Sequence, residues 1–230
     1  MKRLNTFITE KLKINKTHKS QYTCQPKDKR ELREIIKERL LRDKNADLND
    51  IDVSEITDMS LLFDNKLNAT NINISNWNVS NVTDMQYMFY GCPNFNSDLS
   101  NWDVTNVRNM QGMFAYCKKF KGDGVEKWDV SNVETMVNMF AYNEIFNCDL
   151  SDWDVSSVRD MSYMFSQCRN FNGDLSKWDV SNVKNMNYMF YNCKKFDCNL
   201  DNWKVSNKVT TQYMFDCCSS LKNKPYWYKS

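Results

Sequence analysis

Residues 76–114 read NWNVSNVTDMQYMFYGCPNFNSDLSNWDVTNVRNMQGMF, and the second half of this stretch repeats the first. Its tryptophan recurs along the chain at intervals of 25 or 26 residues, as Trp77, Trp102, Trp128, Trp153, Trp178 and Trp203. A fixed period of this length is typical of repeat proteins, in which each unit buries its apolar side chains against its neighbours. The repeat therefore predicts an elongated, stacked architecture.

Numbering each repeat from its tryptophan as position 0 shows two internal spacings. Leu99, Trp102 and Val104 follow an L-x-x-W-x-V pattern, which predicts a short strand. The apolar residues at +5, +8, +12 and +15 follow helical spacing, and Ser or Thr at +3 and Asn at +4 are suitable N-caps. Parallel strands need crossover connections, which are right-handed. The sequence thus predicts an α/β fold, a right-handed solenoid with one short parallel strand and one short helix per repeat.

The two ends differ from the repeats. Residues 1–50 predict a short helix carrying Leu4, Phe7 and Leu12, a short strand at residues 22–24, and a helix at about residues 28–42 with Asp28 as its N-cap. This region is either a cap on the open end of the stack or a docking module. Repeats of about seven coils fill residues 51–222, and the aromatic tail 223–230 is either a lid or an exposed contact patch.

The motif W-D-V-S-N-V-x-x-M-x-x-M-F, over residues 51–222, resembles the BspA-type leucine-rich-repeat family of surface proteins, including the variant of mycoplasma lipoproteins. The resemblance implies a leucine-rich-repeat-like scaffold for adhesion or protein binding, without catalytic activity. The sequence differs from the usual member in lacking a recognisable secretion signal, lipobox cysteine or cell-wall anchor. We therefore expect a cytoplasmic protein or a part of an intracellularly assembled particle.

Net charge, hydropathy and the motifs that are missing argue against nucleic-acid binding, membrane insertion and catalysis. The net charge of +2 argues against nucleic-acid binding, and no stretch is apolar enough to enter a membrane. Catalytic fingerprints such as GxSxG, the P-loop and HExxH are missing. We expect a non-enzymatic protein without cofactors whose partner is another protein, and the sequence leaves its oligomeric state open.

The nine cysteines predict buried free thiols rather than disulfides or a metal site. Position +15 is occupied by five of them: Cys92, Cys117, Cys168, Cys193 and Cys218. An odd cysteine count favours a reducing compartment, and the only histidine, His18, is far in sequence from Cys217 and Cys218, the only adjacent cysteines.

The predicted binding surface is the outward face of the strands. Its +1 and −1 positions are Asn78, Asp103, Asp129, Asp154, Asp179, Lys127, Asp152 and Lys177. Stacked in register, the four Asp at +1 would form an acidic ladder. Two interpretations remain open: each Asp accepts hydrogen bonds in its own turn, or the ladder binds a cation or a basic protein.

The leading functional prediction is an interaction or adhesion scaffold. The alternative is a structural component of a phage particle or other large assembly, docked through residues 1–50.

Overall fold

Helical and bridge elements are few in residues 22–63 and 72–229, which the computed structural model describes. Helix α1 spans Lys29–Arg42 and the 3-10 helix η1 spans Val125–Lys127. Isolated parallel bridges join position +7 of successive repeats: Asp58–Asp84, Asp84–Asn109, Asn109–Thr135, Thr135–Asp160, Asp160–Asn185 and Asn185–Thr210. Two further bridges, Cys24–Ile51 and Asp47–Asn73, lie nearer the N-terminus.

The prediction of a right-handed α/β solenoid with one short strand and one short helix per repeat is wrong. Within the described residues no repeat contains a strand or an α-helix. The predicted strand closes a turn instead, because the Trp102 N–H donates to the Leu99 carbonyl at 3.1 Å. The predicted Ser, Thr and Asn caps have no helix to cap. The strand predicted at residues 22–24 is the single bridge at Cys24, and the first predicted helix lies outside the described residues.

Left-handed residues explain why the helical spacing does not produce a helix. Positions +10 and +14 have positive φ in each repeat from that of Trp77 to that of Trp203, for example 60° at Gly112 and 63° at Tyr116. Two such residues within one run prevent continuous right-handed helix. Backbone N–H groups at +11, +13, +15 and +18 bond back three residues, as in consecutive β-turns. Residues three or four apart still share a face, which is why the sequence spacing imitated a helix.

Hydrogen bonds between repeats use alternate backbone donors of the same segment. The N–H groups at +8, +10, +12 and +14 donate to the carbonyls at +7, +9, +11 and +13 of the next repeat. In the repeat of Trp77, for example, Met85 bonds to Asn109 and Tyr87 to Gln111, at 2.9 and 2.7 Å. At +4, the Asn81 side chain donates 2.8 Å to Ser54 O of the preceding repeat. Each repeat is thus bonded in register to its neighbours, and we call the assembly of residues 51–63 and 72–228 the repeat stack.

Buried aromatic rings fill the inside of the repeat stack. The +12 rings from Phe63 to Phe215 are at most 3 % exposed. Neighbouring +12 rings lie nearly parallel, with Phe114 and Phe140 centroids 5.8 Å apart. Each tryptophan Nε1–H donates to a carbonyl of the preceding repeat, as Trp102 does to Ile74 at 3.1 Å. This burial confirms the core positions that the sequence predicted. Packed apolar side chains supply the dominant favourable term in folding.

The N-terminal end of the stack is covered by α1. Asp28 caps this helix by accepting the Glu31 N–H at 2.8 Å, which confirms the predicted N-cap. Leu32, Ile36 and Leu40 are buried, and Lys29 Nζ reaches Asp58 Oδ2 at 2.6 Å. Arg39 bonds Asp50 through two guanidinium nitrogens, at 3.1 and 2.9 Å, which raises the pKa of Arg39. These contacts fit the cap interpretation.

The C-terminal end is partly covered by the tail. The Trp227 indole donates to Leu200 O at 2.8 Å and stacks on Trp203 at 5.9 Å, so it takes the place of a further repeat tryptophan. Pro225 is buried, whereas Tyr226 is 81 % exposed. The lid interpretation therefore fits Trp227, and the exposed-patch interpretation fits only Tyr226.

A ladder of thiols runs beside the phenylalanines. All nine cysteines are free, and each +15 Sγ donates to the +12 carbonyl of the preceding repeat, as Cys168 does to Phe140 at 2.9 Å. Burial raises the pKa of the Cys117, Cys168 and Cys193 thiols. Asn143 interrupts this ladder. It is fully buried, and neither of its side-chain polar atoms has a hydrogen-bond partner within the described chain.

Asn143→Cys is expected to raise the free energy of unfolding by about 1–3 kcal/mol, the usual cost of a buried polar group without a partner. The new thiol would lie where the other repeats place one. Chemical denaturation under reducing conditions measures the difference. The reciprocal variant Cys168→Asn should lose a comparable amount, and equal stability of the two variants would contradict the prediction.

Candidate functional site

The predicted acidic ladder consists of side chains that shape their own turns. Asp103, Asp129, Asp154 and Asp179 are exposed, and one oxygen of each accepts the N–H two residues later at 3.0–3.1 Å. Asn78 makes the same contact at 3.2 Å. These are Asx turns, in which the side chain replaces a backbone acceptor. These contacts are those expected when each Asp accepts hydrogen bonds in its own turn. The Asp side chains lie on turns, not on the strand face that the sequence predicted.

The remaining predicted site residues, at −1, are also exposed. A second row of Asx turns lies at +21, where Asp98, Asp149 and Asp174 accept serine N–H groups at 2.9–3.0 Å. The Ser100 N–H lowers the pKa of Asp98 most, and Lys127 lowers it further by charge. Lys177 acts in the same direction on Asp149 and Asp174. Lys127 and Lys177, which the sequence predicted as binding residues, therefore offset the negative charge of the carboxylates at +21.

Acid is expected to destabilise the protein through these turns. Hydrogen bonds from serine hydroxyl and amide groups hold the pKa of five carboxylates below the usual value in the folded state: Asp98, Asp129, Asp149, Asp174 and Asp179. A lowered folded-state pKa contributes stability above the unfolded-state value of about 3.9, and this stability is lost as the pH falls through the folded-state pKa. We expect the melting temperature to fall below about pH 4.

Replacing these five residues by Asn keeps the turns and removes the titration, because Asn78 and Asn199 already form equivalent turns. The five-Asn variant should melt close to the wild type at neutral pH and lose less stability in acid. Thermal unfolding from about pH 7 to about pH 3 tests this. Parallel curves for the two proteins would show that these turns do not contribute to the acid sensitivity.

A surface of stacked tyrosines was not predicted from the sequence. Two groups of rings lie on successive repeats. In the first, the Tyr116 and Tyr142 centroids are 4.3 Å apart and nearly parallel. In the second, Tyr163 and Tyr188 are 4.7 Å apart. The tyrosine face, as we call this surface, consists of Tyr87, Tyr90, Tyr116, Tyr142, Tyr163, Tyr188, Tyr191 and Tyr213.

Most of these tyrosines occupy strained backbone positions. Six of the eight have positive φ, between 55° and 63°: Tyr87, Tyr116, Tyr142, Tyr163, Tyr188 and Tyr213. A non-glycine residue in this region costs about 1–2 kcal/mol. Glycine or asparagine, which tolerate the region better, fill the same +10 and +14 positions in other repeats, at Gly91, Gly112, Asn138 and Asn192. Ring stacking of about 0.5–1.5 kcal/mol per pair offsets part of this strain. Tyr116, Tyr142 and Tyr163 are nevertheless 37–39 % exposed.

A depression of mixed charge lies beside two tyrosines of the tyrosine face. Tyr116, Tyr142 and Gln167 line it together with Lys118, Glu144 and Arg169, around a volume of about 220 Å³. Lys118 Nζ lies 3.9 Å from Glu144 Oε1. Burial, together with the hydroxyl of Tyr142, raises the pKa of Tyr116. Aromatic rings rimmed by exposed charges of both signs are typical of protein interfaces.

The signal for this surface was present in the sequence. Eight of the eleven tyrosines recur at +10, +13 and +14. The sequence reasoning placed these positions on a helix. Gly112 at +10 and Gly91 at +14 show that both positions favour left-handed backbone, and most of the exposed tyrosines occupy these positions, on either side of the buried phenylalanine at +12.

The repeat stack and its exposed rows of side chains define a repeat protein whose neighbouring units are bonded in register. Residues 31–124 and 117–227 match the family described as "Mycoplasma protein of unknown function, DUF285". The chain belongs to this family, a Mycoplasma repeat family related to BspA-like surface proteins. No curated protein and no solved structure matches the chain.

In residues 22–63 and 72–229, no three His, Cys, Asp or Glu side chains are grouped so that they could hold a metal ion. Neither of the helices assigned in these ranges has the length and apolar character needed to cross a membrane.

Proposed function

We propose that this protein is a non-catalytic scaffold for protein–protein interaction or adhesion, and that the tyrosine face is its contact surface. The observation that carries the proposal is the set of partly exposed tyrosines on left-handed backbone, where asparagine or glycine would be less strained. Tyrosine gives a large contact area at low conformational entropy cost, and its hydroxyl supplies hydrogen bonds. The family relation to BspA-like surface proteins supports the same function.

The tyrosine face can be tested with substitutions that the chain itself already uses. Tyr116→Asn, Tyr142→Asn and Tyr163→Asn place at these positions a residue that other repeats have there, as Asn192 at +14 and Asn138 at +10. We expect the triple variant to stay folded and to lose a stoichiometric partner that the wild type retains from an extract of the source organism. Loss of about 2 kcal/mol or more of binding free energy is usual when central aromatic contacts are removed.

The matched control is the variant Asp103→Asn, Asp129→Asn, Asp154→Asn and Asp179→Asn, which changes the predicted acidic ladder and leaves the tyrosines intact. It should retain the partner. Loss of the partner in the Asp variant alone would move the contact surface to the acidic ladder. An unchanged partner together with lower stability of the tyrosine variant would make the tyrosines structural.

For the location, we propose a reducing compartment, either the cytoplasm or an intracellularly assembled particle. The support is that all nine cysteines are free, including the exposed Cys217. A membrane-impermeant label applied to intact cells should therefore not react with the tagged protein, while it should react after lysis. Labelling of intact cells would place the protein at the surface, as in the BspA-like proteins that the sequence resembles.

A further inference from the structure

The C-terminal end of the repeat stack carries an unused row of backbone donors. In the complete repeats before it, the N–H groups at +8, +10, +12 and +14 donate to the next repeat at 2.7–3.1 Å. In the repeat of Trp203 these positions are Thr211, Tyr213, Phe215 and Cys217. None of their N–H groups donates to an acceptor within residues 22–63 and 72–229. We call this row the donor edge.

The tail covers only part of the donor edge. Tyr228 packs edge-on against Phe215, with centroids 5.1 Å apart, and Phe215 is 3 % exposed. Beside it a depression of about 540 Å³ is lined by Thr211, Tyr213 and Asp216, with Val209, Thr210, Gln212, Tyr228 and Lys229 completing the wall. Tyr213 is 51 % exposed and Cys217 is exposed. Three of the four donors therefore lie in residues with accessible surface.

We propose that the donor edge binds a segment of a partner protein that adopts the turn conformation of a repeat, with its left-handed residue at +10, and whose backbone carbonyls at every second residue take the place of a further repeat. Backbone donors left without protein acceptors at the edge of a regular hydrogen-bonded array are a template for pairing with another chain. The Asp216 carboxylate and Lys229 in the wall allow charged groups of the segment to contribute. This inference does not rest on the proposed role of the tyrosine face.

A second copy of this chain fits the donor edge poorly. Two donor edges placed against each other would bring N–H groups together, because the carbonyls of the same segment already accept from the preceding repeat. The complementary acceptor end of the stack lies beneath α1, where Lys29 bonds to Asp58 and Ser60 and Arg33 donates to Leu61 O. End-to-end association would have to displace this helix. The polarity of the bonds therefore favours a segment of a different protein.

The chain supplies its own probe, because the +7 to +15 segment of each repeat already binds such an edge. A synthetic peptide of residues 108–118, RNMQGMFAYCK, contains Gly112 at the left-handed +10 position and offers the carbonyls of Gln111, Met113 and Ala115. The control peptide carries Gly112→Val, since a β-branched residue does not adopt positive φ. Both peptides are used under reducing conditions with the full-length protein.

Residue-resolved amide hydrogen exchange measures the donors directly. Without peptide, the Thr211, Tyr213 and Cys217 amides should exchange faster than the equivalent Met186, Tyr188 and Asn192 amides. Saturating peptide should slow the first set by about tenfold or more, which corresponds to about 1.4 kcal/mol. The control peptide should have no effect.

Three outcomes would overturn the proposal. The first is slow exchange of these amides in dilute protein alone. The second is slowing that depends on the protein concentration without peptide, which would make a second copy the occupant. The third is unchanged exchange at saturating peptide. Each outcome leaves the partner-retention test of the tyrosine face unaffected.

Discussion

Phe140→Ala should lower the free energy of unfolding by about 3–5 kcal/mol, the usual cost of truncating a fully buried phenylalanine. Phe140 is 0 % exposed and lies in the middle of the stack. Its ring contacts Phe114 and Phe165 in the neighbouring repeats at 5.8 and 5.7 Å, and Phe146 at 4.1 Å. The truncation would leave a cavity whose walls are rings held in register by backbone bonds, which limits their collapse.

The position of Phe140 makes a second consequence measurable. In a linear array each unit is stabilised by its two neighbours, so weakening a central interface can divide one cooperative transition into two. We expect denaturant unfolding of Phe140→Ala to broaden as well as to shift. Tyr226→Ala, at a residue that is 81 % exposed, should change the stability by no more than about 0.5 kcal/mol. A similar small shift for Phe140→Ala would contradict the prediction.

Gly124→Ala should be comparably damaging, for reasons of backbone contact rather than lost burial. Gly124 has φ 92°, and a Cβ atom there would lie 2.2 Å from Ser100 N and 2.6 Å from Ser100 Cα. Both neighbours are backbone atoms, which cannot move aside as the end of a side chain can. The left-handed conformation costs about 1–2 kcal/mol and overpacking a further 1–3 kcal/mol. We expect about 2–5 kcal/mol in total from these two costs.

The control is the same substitution, Gly173→Ala, in the repeat of Trp153. A Cβ atom at Gly173 would lie 3.0 Å from Phe171 Cζ, a side-chain atom, and its φ is not in the positive range. Its effect should lie within about 0.5–1 kcal/mol of zero. Thermal melts of the two variants give the comparison, and equal melting temperatures would show that the contact with Ser100 does not limit the choice of residue at position 124.

The residues that fill the core could be predicted from the sequence, but the path of the backbone could not. Trp102, Val107, Met110 and Phe114 are buried as predicted, because a 25-residue period places equivalent side chains in equivalent environments. A series of turns and a helix both bring residues three and four apart to one side, so apolar spacing alone does not distinguish them. The hydrogen bonds to the next repeat decide between the two, and those bonds join residues about 24 apart.

The candidate site was predicted less completely than the core. Asx turns at Asp129 and its equivalents follow from local side-chain chemistry. The sequence therefore predicted them as one of two interpretations of the acidic ladder. The tyrosine face depends on which residues have positive φ. Glycine reveals those positions in single repeats only, at Gly91 and Gly112. The donor edge is not visible in any single repeat, because it is defined by where the bonding between repeats ends.

The register of bonds between neighbouring repeats has an evolutionary consequence. Every interior repeat presents to each neighbour the same donors and acceptors, at the same positions, as the other interior repeats do. A duplication or loss of one 25-codon unit within the coding sequence would therefore join compatible surfaces and leave both ends unchanged. The length of the protein could drift by whole units under little structural selection. Related genes are then expected to differ mainly in their number of units.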